Sequence, residues 1–167
     1  MSAFPIRRFP DPILKRQTRT VERIDNEARR FIERLIRTMR HHPRCVGLAA
    51  PQVGSDLRIA VMDSSVHPKS TGSHGLLVLI NPEIELLEGV SAQREGCLSI
   101  PDLTANVRRA SRVRLCAADQ DGALHEWRLE GFEAIVAQHE VDHLDGKLFL
   151  DRVTNLTTDV FPRKTYL

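Results

Sequence analysis

Apolar residues at Ala28, Phe31, Ile32, Leu35, Ile36 and Met39 recur at steps of three and four, the spacing of one helical face. Asp25 or Asn26 offers an N-cap oxygen, and the pattern stops near His41-His42-Pro43. An amphipathic helix is predicted between these limits. Its other face carries Arg30, Arg34, Arg37 and Arg40, which reads as a solvated basic row. His41 and His42 fall at the helix end, where cations are favoured, and no ligand role is expected of them. Ahead of the helix, Pro5, Pro10 and Pro12 keep residues 1–24 irregular.

Beyond it the period changes. Cys45-Val46-Gly47-Leu48-Ala49-Ala50-Pro51-Gln52-Val53-Gly54 is small and apolar with one amide, Gln52. It reads either as a tight core strand with Gln52 at its solvent end or as a strand lining a ligand with a carboxamide donor. Leu57–Asp63, Leu76–Asn81 and Glu83–Val90 are predicted strands, and Ser64–Gly75 a polar loop in which His67 and His74 are plain exposed residues. Val113–Ala118 alternates, Asp121-Gly122 signals a hairpin turn, and Leu124–Leu129 returns as the partner strand. On this hairpin Arg112 and Arg114 mark a wet face and Trp127 a packing position. A second helical pattern runs through Phe132, Ile135, Val136, His139 and His143 to a stop at Gly146. The expected fold class is α+β: antiparallel strands around a central buried helix, with the amphipathic helix near the N-terminus.

Composition narrows the class. A chain of 167 residues, 41% hydrophobic and 28% charged, has material for one core, and a single domain over 1–167 is expected. A net charge of +2 is too mild for a nucleic-acid surface. No apolar run approaches the roughly 20 residues of a membrane span, and the N-terminus lacks the apolar stretch of a secretory leader. Three cysteines without regular spacing argue against a disulfide framework. A reducing cytoplasm is therefore the expected location. Cys45 and Cys116 sit in apolar runs and read as small buried hydrophobes.

The chemistry concentrates in Gln138-His139-Glu140-Val141-Asp142-His143. Two histidines four apart on a helix share a face, so both rings can reach one metal ion, with Glu140 beside them as a carboxylate base. The plainer reading is two satisfied core histidines. A catalytic metal needs three protein ligands and an open corner. Cys97, in Arg94-Glu95-Gly96-Cys97-Leu98-Ser99, is the candidate third ligand, since Gly96 permits special geometry there.

Three segments carry a resemblance. Gly47-Leu48-Ala49-Ala50-Pro51-Gln52, Glu95-Gly96-Cys97-Leu98-Ser99 and Gln138-His139-Glu140-x-Asp142-His143 resemble the signature segments of the peptide deformylases, in the family's order. The match runs from Phe9-Pro10-Asp11-Pro12-x-Leu14 to Lys147-Leu148-Phe149. The resemblance implies that family's fold and removal of formyl from N-formylmethionyl nascent peptides, near the ribosome. It implies Fe2+, with Zn2+, Ni2+ or Co2+ as substitutes, held by Cys97, His139 and His143. By the same resemblance Glu140 is the base, and Gln52 and the Leu98 N–H are oxyanion donors. Gly47 would pair with substrate backbone, Val46, Ile135 and Val136 would line the methionine pocket, and Glu95 with Arg109 would form a supporting ion pair. The chain departs from the pattern at Cys45, where glycine is usual, and at residues 102–106, which lack the common glycine or arginine. The short stretch after Gly146 leaves little room for a C-terminal helix. Two rivals share fewer features: a zinc peptidase of the His-Glu-x-x-His type, and a catalytically silent module that binds N-termini.

Overall fold

The computed structural model describes residues 2–164. Helix α1 spans Asn26–His41, with the Asp25 carboxylate accepting from the Ala28 N–H as its N-cap. Strand β1 is short, Gly47–Ala49, and is followed by a 3-10 turn over Ala50–Val53. Strand β2 covers Ile59–Met62, β3 Leu77–Glu88, β4 Ser91–Cys97 and β5 Ile100–Arg109. The β6–β7 hairpin follows, Arg112–Ala118 and Leu124–Glu130. Helix α2 is Gly131–Leu144; a one-turn α3, Leu156–Asp159, leads into β8, Val160–Pro162. Strands β1-β2-β3-β6-β7 form one antiparallel sheet and β4-β5-β8 a second. The α+β class expected from the pattern is the class observed.

The five-stranded sheet is covered on both sides, and β2 shows why. Ile59 and Val61 pack with Ile32, Leu35 and Met39 of α1, while Ala60 and Met62 pack with Ala134, Ala137 and Val141 of α2. All four β2 residues are buried, each large apolar side chain contributing about 1.5–3 kcal/mol. The smaller sheet closes a third cluster, in which Ala105 and Val107 meet Leu14, Leu148 and Phe149. Helix α2 ends where the pattern placed its stop: Gly146 has φ +72° and its Cα faces the Lys15 carbonyl, where a Cβ would come within 2.7 Å.

Four local expectations are corrected. The two strands read at 76–81 and 83–90 are one, β3, because Asn81 takes φ +52° and absorbs an irregularity in the β3–β6 register. The strand read across 45–54 is only three residues long, since Pro51 turns the chain into the 3-10 segment. Cys116 is only half-buried: the alternation of β6 puts Val113, Leu115 and Ala117 inside, and the thiol faces Glu126 at 3.8 Å. His67 is half-buried, and His74, exposed as expected, is nonetheless engaged. The first ring stacks on Phe132 with centroids 4.6 Å apart, and His74 Nδ1 lies 2.8 Å from the Glu133 carboxylate.

Candidate metal centre

Strand β4 and helix α2 bring the chemistry together. The β4–β5 register slips between Gly96 and Cys97, so the chain turns tightly through Leu98 and Ser99 with the Cys97 thiol facing inward. Helix α2 is buried on nearly every side, and Gln138 clamps it. Its amide donates to the Ala110 and Ala134 carbonyls and its oxygen accepts from the Ala110 N–H. The helix therefore has one orientation, which presents His139 and His143 to Cys97. The ligand atoms of these three residues lie within 4.8 Å of one another.

The donor set fits a metal ion. Cys97 Sγ is 3.4 Å from His143 Nε2, close to the roughly 3.6 Å between sulfur and nitrogen across a tetrahedral zinc. His139 Nδ1 donates to the Glu95 carboxylate at 2.8 Å, leaving Nε2 as its free nitrogen. That is the arrangement by which a carboxylate orients a ligating imidazole. Burial alone would raise the Cys97 thiol, yet His143 and His139 pull it well below the ordinary range. A thiolate facing positive charge is what the pocket favours, and a bound cation supplies that charge to neutral rings.

Glu140 is not one of the three clustered residues. Burial pushes its carboxyl up to about 7, against the two histidines, which lower it. Its Oε2 is buried with no partner among the described residues, so an oxygen that normally costs energy when unpaired faces the site. The room for it comes from Gly47, where a Cβ would stand 2.3 Å from Glu140 Oε1. Gln52, expected on a strand, sits on the 3-10 turn and is buried; its Oε1 accepts from the Ala49 N–H at 3.0 Å. Its amide nitrogen lies 3.3 Å from both Cys97 Sγ and Ser99 Oγ. The alternative of a solvent-facing Gln52 is thereby set aside.

A cleft of about 930 Å3 opens over this group. Val46, Ile135 and Val136 lie along its wall, as do Gly47, Leu98 and Cys45. Cys45, read as a buried hydrophobe, is half-buried at this wall, where its thiol donates to the Gly47 carbonyl at 3.1 Å and burial pushes it up to about 12. Beneath the cleft Arg109 holds Glu95 through two bonds, at 2.7 and 2.9 Å, and reaches Asp142 at 2.7 Å. Burial works against the Glu95 charge, but Arg109 and His139 outweigh it and leave the carboxyl at about 2. Two members of this network escaped the sequence reading: Asp142, and Arg152, which binds it at 2.7 and 3.0 Å. The available signal was an acidic residue on a helix otherwise destined for burial, which requires cationic partners.

A buried sulfur and two rings beneath an open cleft, with an unpaired carboxylate alongside, define a metal-dependent hydrolase of the His-Glu-x-x-His class. Comparison with known proteins specifies it. The family described as Polypeptide deformylase matches residues 3–159. A peptide deformylase from Syntrophobacter fumaroxidans is 40% identical over 164 residues, covering 98% of this chain and 94% of that protein. The crystal structure of peptide deformylase from Thermotoga maritima superposes with a TM-score of 0.84 at 38% identity, covering 93% of this chain and all of that one. A Met-Ala-Ser-bound class I type b peptide deformylase from Acinetobacter baumannii gives 0.84 at 32%, covering 91% and 99%. The chain belongs to the polypeptide deformylase family. Its activity is the metal-dependent removal of the N-terminal formyl group from N-formylmethionyl peptides, with release of formate.

Proposed function

We propose that Cys97, His139 and His143 hold the metal, in the cell as Fe2+, and that Glu140 is the catalytic base. The observation that carries this reading is the approach of the three ligand atoms to within 4.8 Å beside an unpartnered Glu140 oxygen. An ion bound there would act as a Lewis acid and lower the pKa of a coordinated water towards about 7. Glu140 takes a proton from the attacking water as a bond forms between its oxygen and the formyl carbon. The charge that gathers on the formyl oxygen meets the Gln52 carboxamide and the Leu98 backbone N–H, a single such donor being worth about 3–4 kcal/mol. Glu140 then returns the proton to the departing amine nitrogen as the carbon–nitrogen bond breaks.

The remaining roles follow from position. Val46, Ile135 and Val136 offer the methionine side chain an apolar wall, and Gly47 offers the peptide an extended backbone edge. The Met-Ala-Ser ligand of the Acinetobacter baumannii relative is in keeping with this arrangement. Glu95 orients His139 and Arg109 holds Glu95. The chain works as one catalytic unit over 1–167, in the cytoplasm, on nascent peptides close to the ribosome. Among the described residues no helix is long and apolar enough to cross a membrane.

A ferrous centre with a thiolate ligand is open to oxidation. Anaerobically prepared, iron-loaded protein should release formate from formyl-Met-Ala-Ser and lose that activity in air as Cys97 gains oxygen, read by mass spectrometry. Full activity after hours under oxygen, with Cys97 unmodified, would contradict the iron assignment.

A further inference from the structure

We propose that Arg94 and Arg163, on the outer face of the smaller sheet, form a carboxylate-binding subsite for an acidic side chain near the third residue of the formylated peptide. The inference rests on the residue roles assigned above.

Strand β4 alternates. Glu95 and Cys97 are buried beneath the cleft, whereas Arg94 and Gly96 face outward. Across the sheet Arg94 pairs in register with Asn106, and Gly96 with Thr104, which in turn pairs with Phe161 of β8. The Arg94 guanidinium lies over the Phe161 ring, 3.7 Å from its centroid, and its Nε donates to Asn106 at 3.0 Å. Asp159 accepts from the same Asn106 at 3.4 Å. Arg163 comes from the other side. Its backbone N–H donates to the Asp102 carbonyl at 2.8 Å, and its side chain crosses back over β4. A Cβ on Gly96 would fall 2.1 Å from Arg163 Nη2, so glycine at 96 is what lets the guanidinium lie there.

Both arginines line the cleft, and Arg44, Lys69 and Lys164 add to the same charge. The carboxylates along that lining, Glu95 and Glu140, are buried, and Glu95 is held by Arg109 and His139. Arg163 forms no ion pair among the described residues. Among the described residues the lining of the mouth thus carries an excess of positive charge, and the Arg94 guanidinium is held by Phe161 and Asn106, which reduces the entropy lost on binding an anion.

Backbone spacing is in keeping with that peptide position. Arg94 is three residues from Cys97 along a strand, about 10 Å at 3.3 Å per residue. An extended peptide whose formyl group lies at the centre brings its third residue to about the same distance.

The test compares kcat/KM for formyl-Met-Ala-Asp-Ser, formyl-Met-Ala-Ser-Ser and formyl-Met-Ala-Lys-Ser at low and high salt. The expected order is acidic, neutral, basic, with steps of about three- to tenfold carried mainly by KM and shrinking as salt screens the charges. The ratio of acidic to neutral peptide should fall towards one in Arg94→Gln/Arg163→Gln, and stay as in the unaltered protein in Arg112→Gln/Arg114→Gln, which removes equal charge on the other sheet. Equal values for the three peptides, or a ratio that survives the double substitution, would overturn the proposal. So would competition by a short RNA oligonucleotide in the absence of any peptide preference, which would assign the rim to a polyanion. Failure to release formate even from the neutral peptide would instead strike at the catalytic assignment itself.

Discussion

Gly47 illustrates how little slack the site has. Its missing side chain is the space that Glu140 fills, with a Cβ 2.3 Å from Oε1. Gly47→Ala should cut kcat/KM for formate release by about 100-fold, since a displacement near 1 Å can cost that much. The fold should survive, as judged by an unchanged circular dichroism spectrum. A second residue-scale prediction concerns sulfur. Cys97→Ser should lose its metal at least about tenfold more readily under chelator dialysis than Cys116→Ser, whose thiol sits on the far hairpin. Equal retention would count against Cys97 as ligand. The residues that the structure brings together in the candidate centre were legible because their types are scarce and their spacing is distinctive: His139 and His143 by one helical turn, Glu140 between them, Cys97 beside a glycine. The Glu95 bond to His139 was not, since it joins residues 44 apart through tertiary packing. Nor was the partial exposure of Cys45, which lies just ahead of β1 at the cleft wall, or of Cys116, which depends on the face that β6 turns outward.

Elements tell a similar story. Helix α1 was legible because one face is apolar and the other basic. Helix α2 was found from its motif and spacing, but its burial on nearly all sides exceeds what an apolar stripe conveys. Strand β5 was missed: Pro101, Asp102, Thr104 and Asn106 break the apolar run, although Ala105 and Val107 are fully buried. The ion network ties β4, β5, α2 and the 3-10 turn Phe149–Arg152 together. Arg109→Leu would leave Glu95 and Asp142 without their shared cation and should cost about 3–5 kcal/mol in urea unfolding. The same network sets an acid limit. Burial opposes the Asp142 charge but Arg152 and Arg109 hold its carboxyl below the usual range, as Glu95 is held at about 2. Groups depressed in the folded state contribute stability that is fully present above their unfolded values of about 4. That stability drains away as pH falls from about 4 through about 2. Metal-free protein should therefore lose unfolding free energy over that window, and Arg109→Leu should lose less of it. Identical pH profiles would contradict the assignment.

At the scale of the molecule, the irregular N-terminal arm acts as a brace. The Arg7 N–H donates to the Gln52 carbonyl at 2.7 Å and the Phe9 N–H to the Ser99 carbonyl at 2.9 Å, so one short segment ties together the two turns that flank the centre. Prolines announced that this arm would not be a helix, but nothing in it announced what it would hold. The two sheets, the buried helix and the arm exist, on this account, to fix one sulfur, two imidazoles and one carboxylate. Glu140→Gln puts that to the most direct test, with formate release from formyl-Met-Ala-Ser and metal per chain measured on the same samples. The account predicts unchanged metal content and turnover reduced by about 100-fold or more. Turnover within a few-fold of the unaltered protein at equal metal content would contradict it.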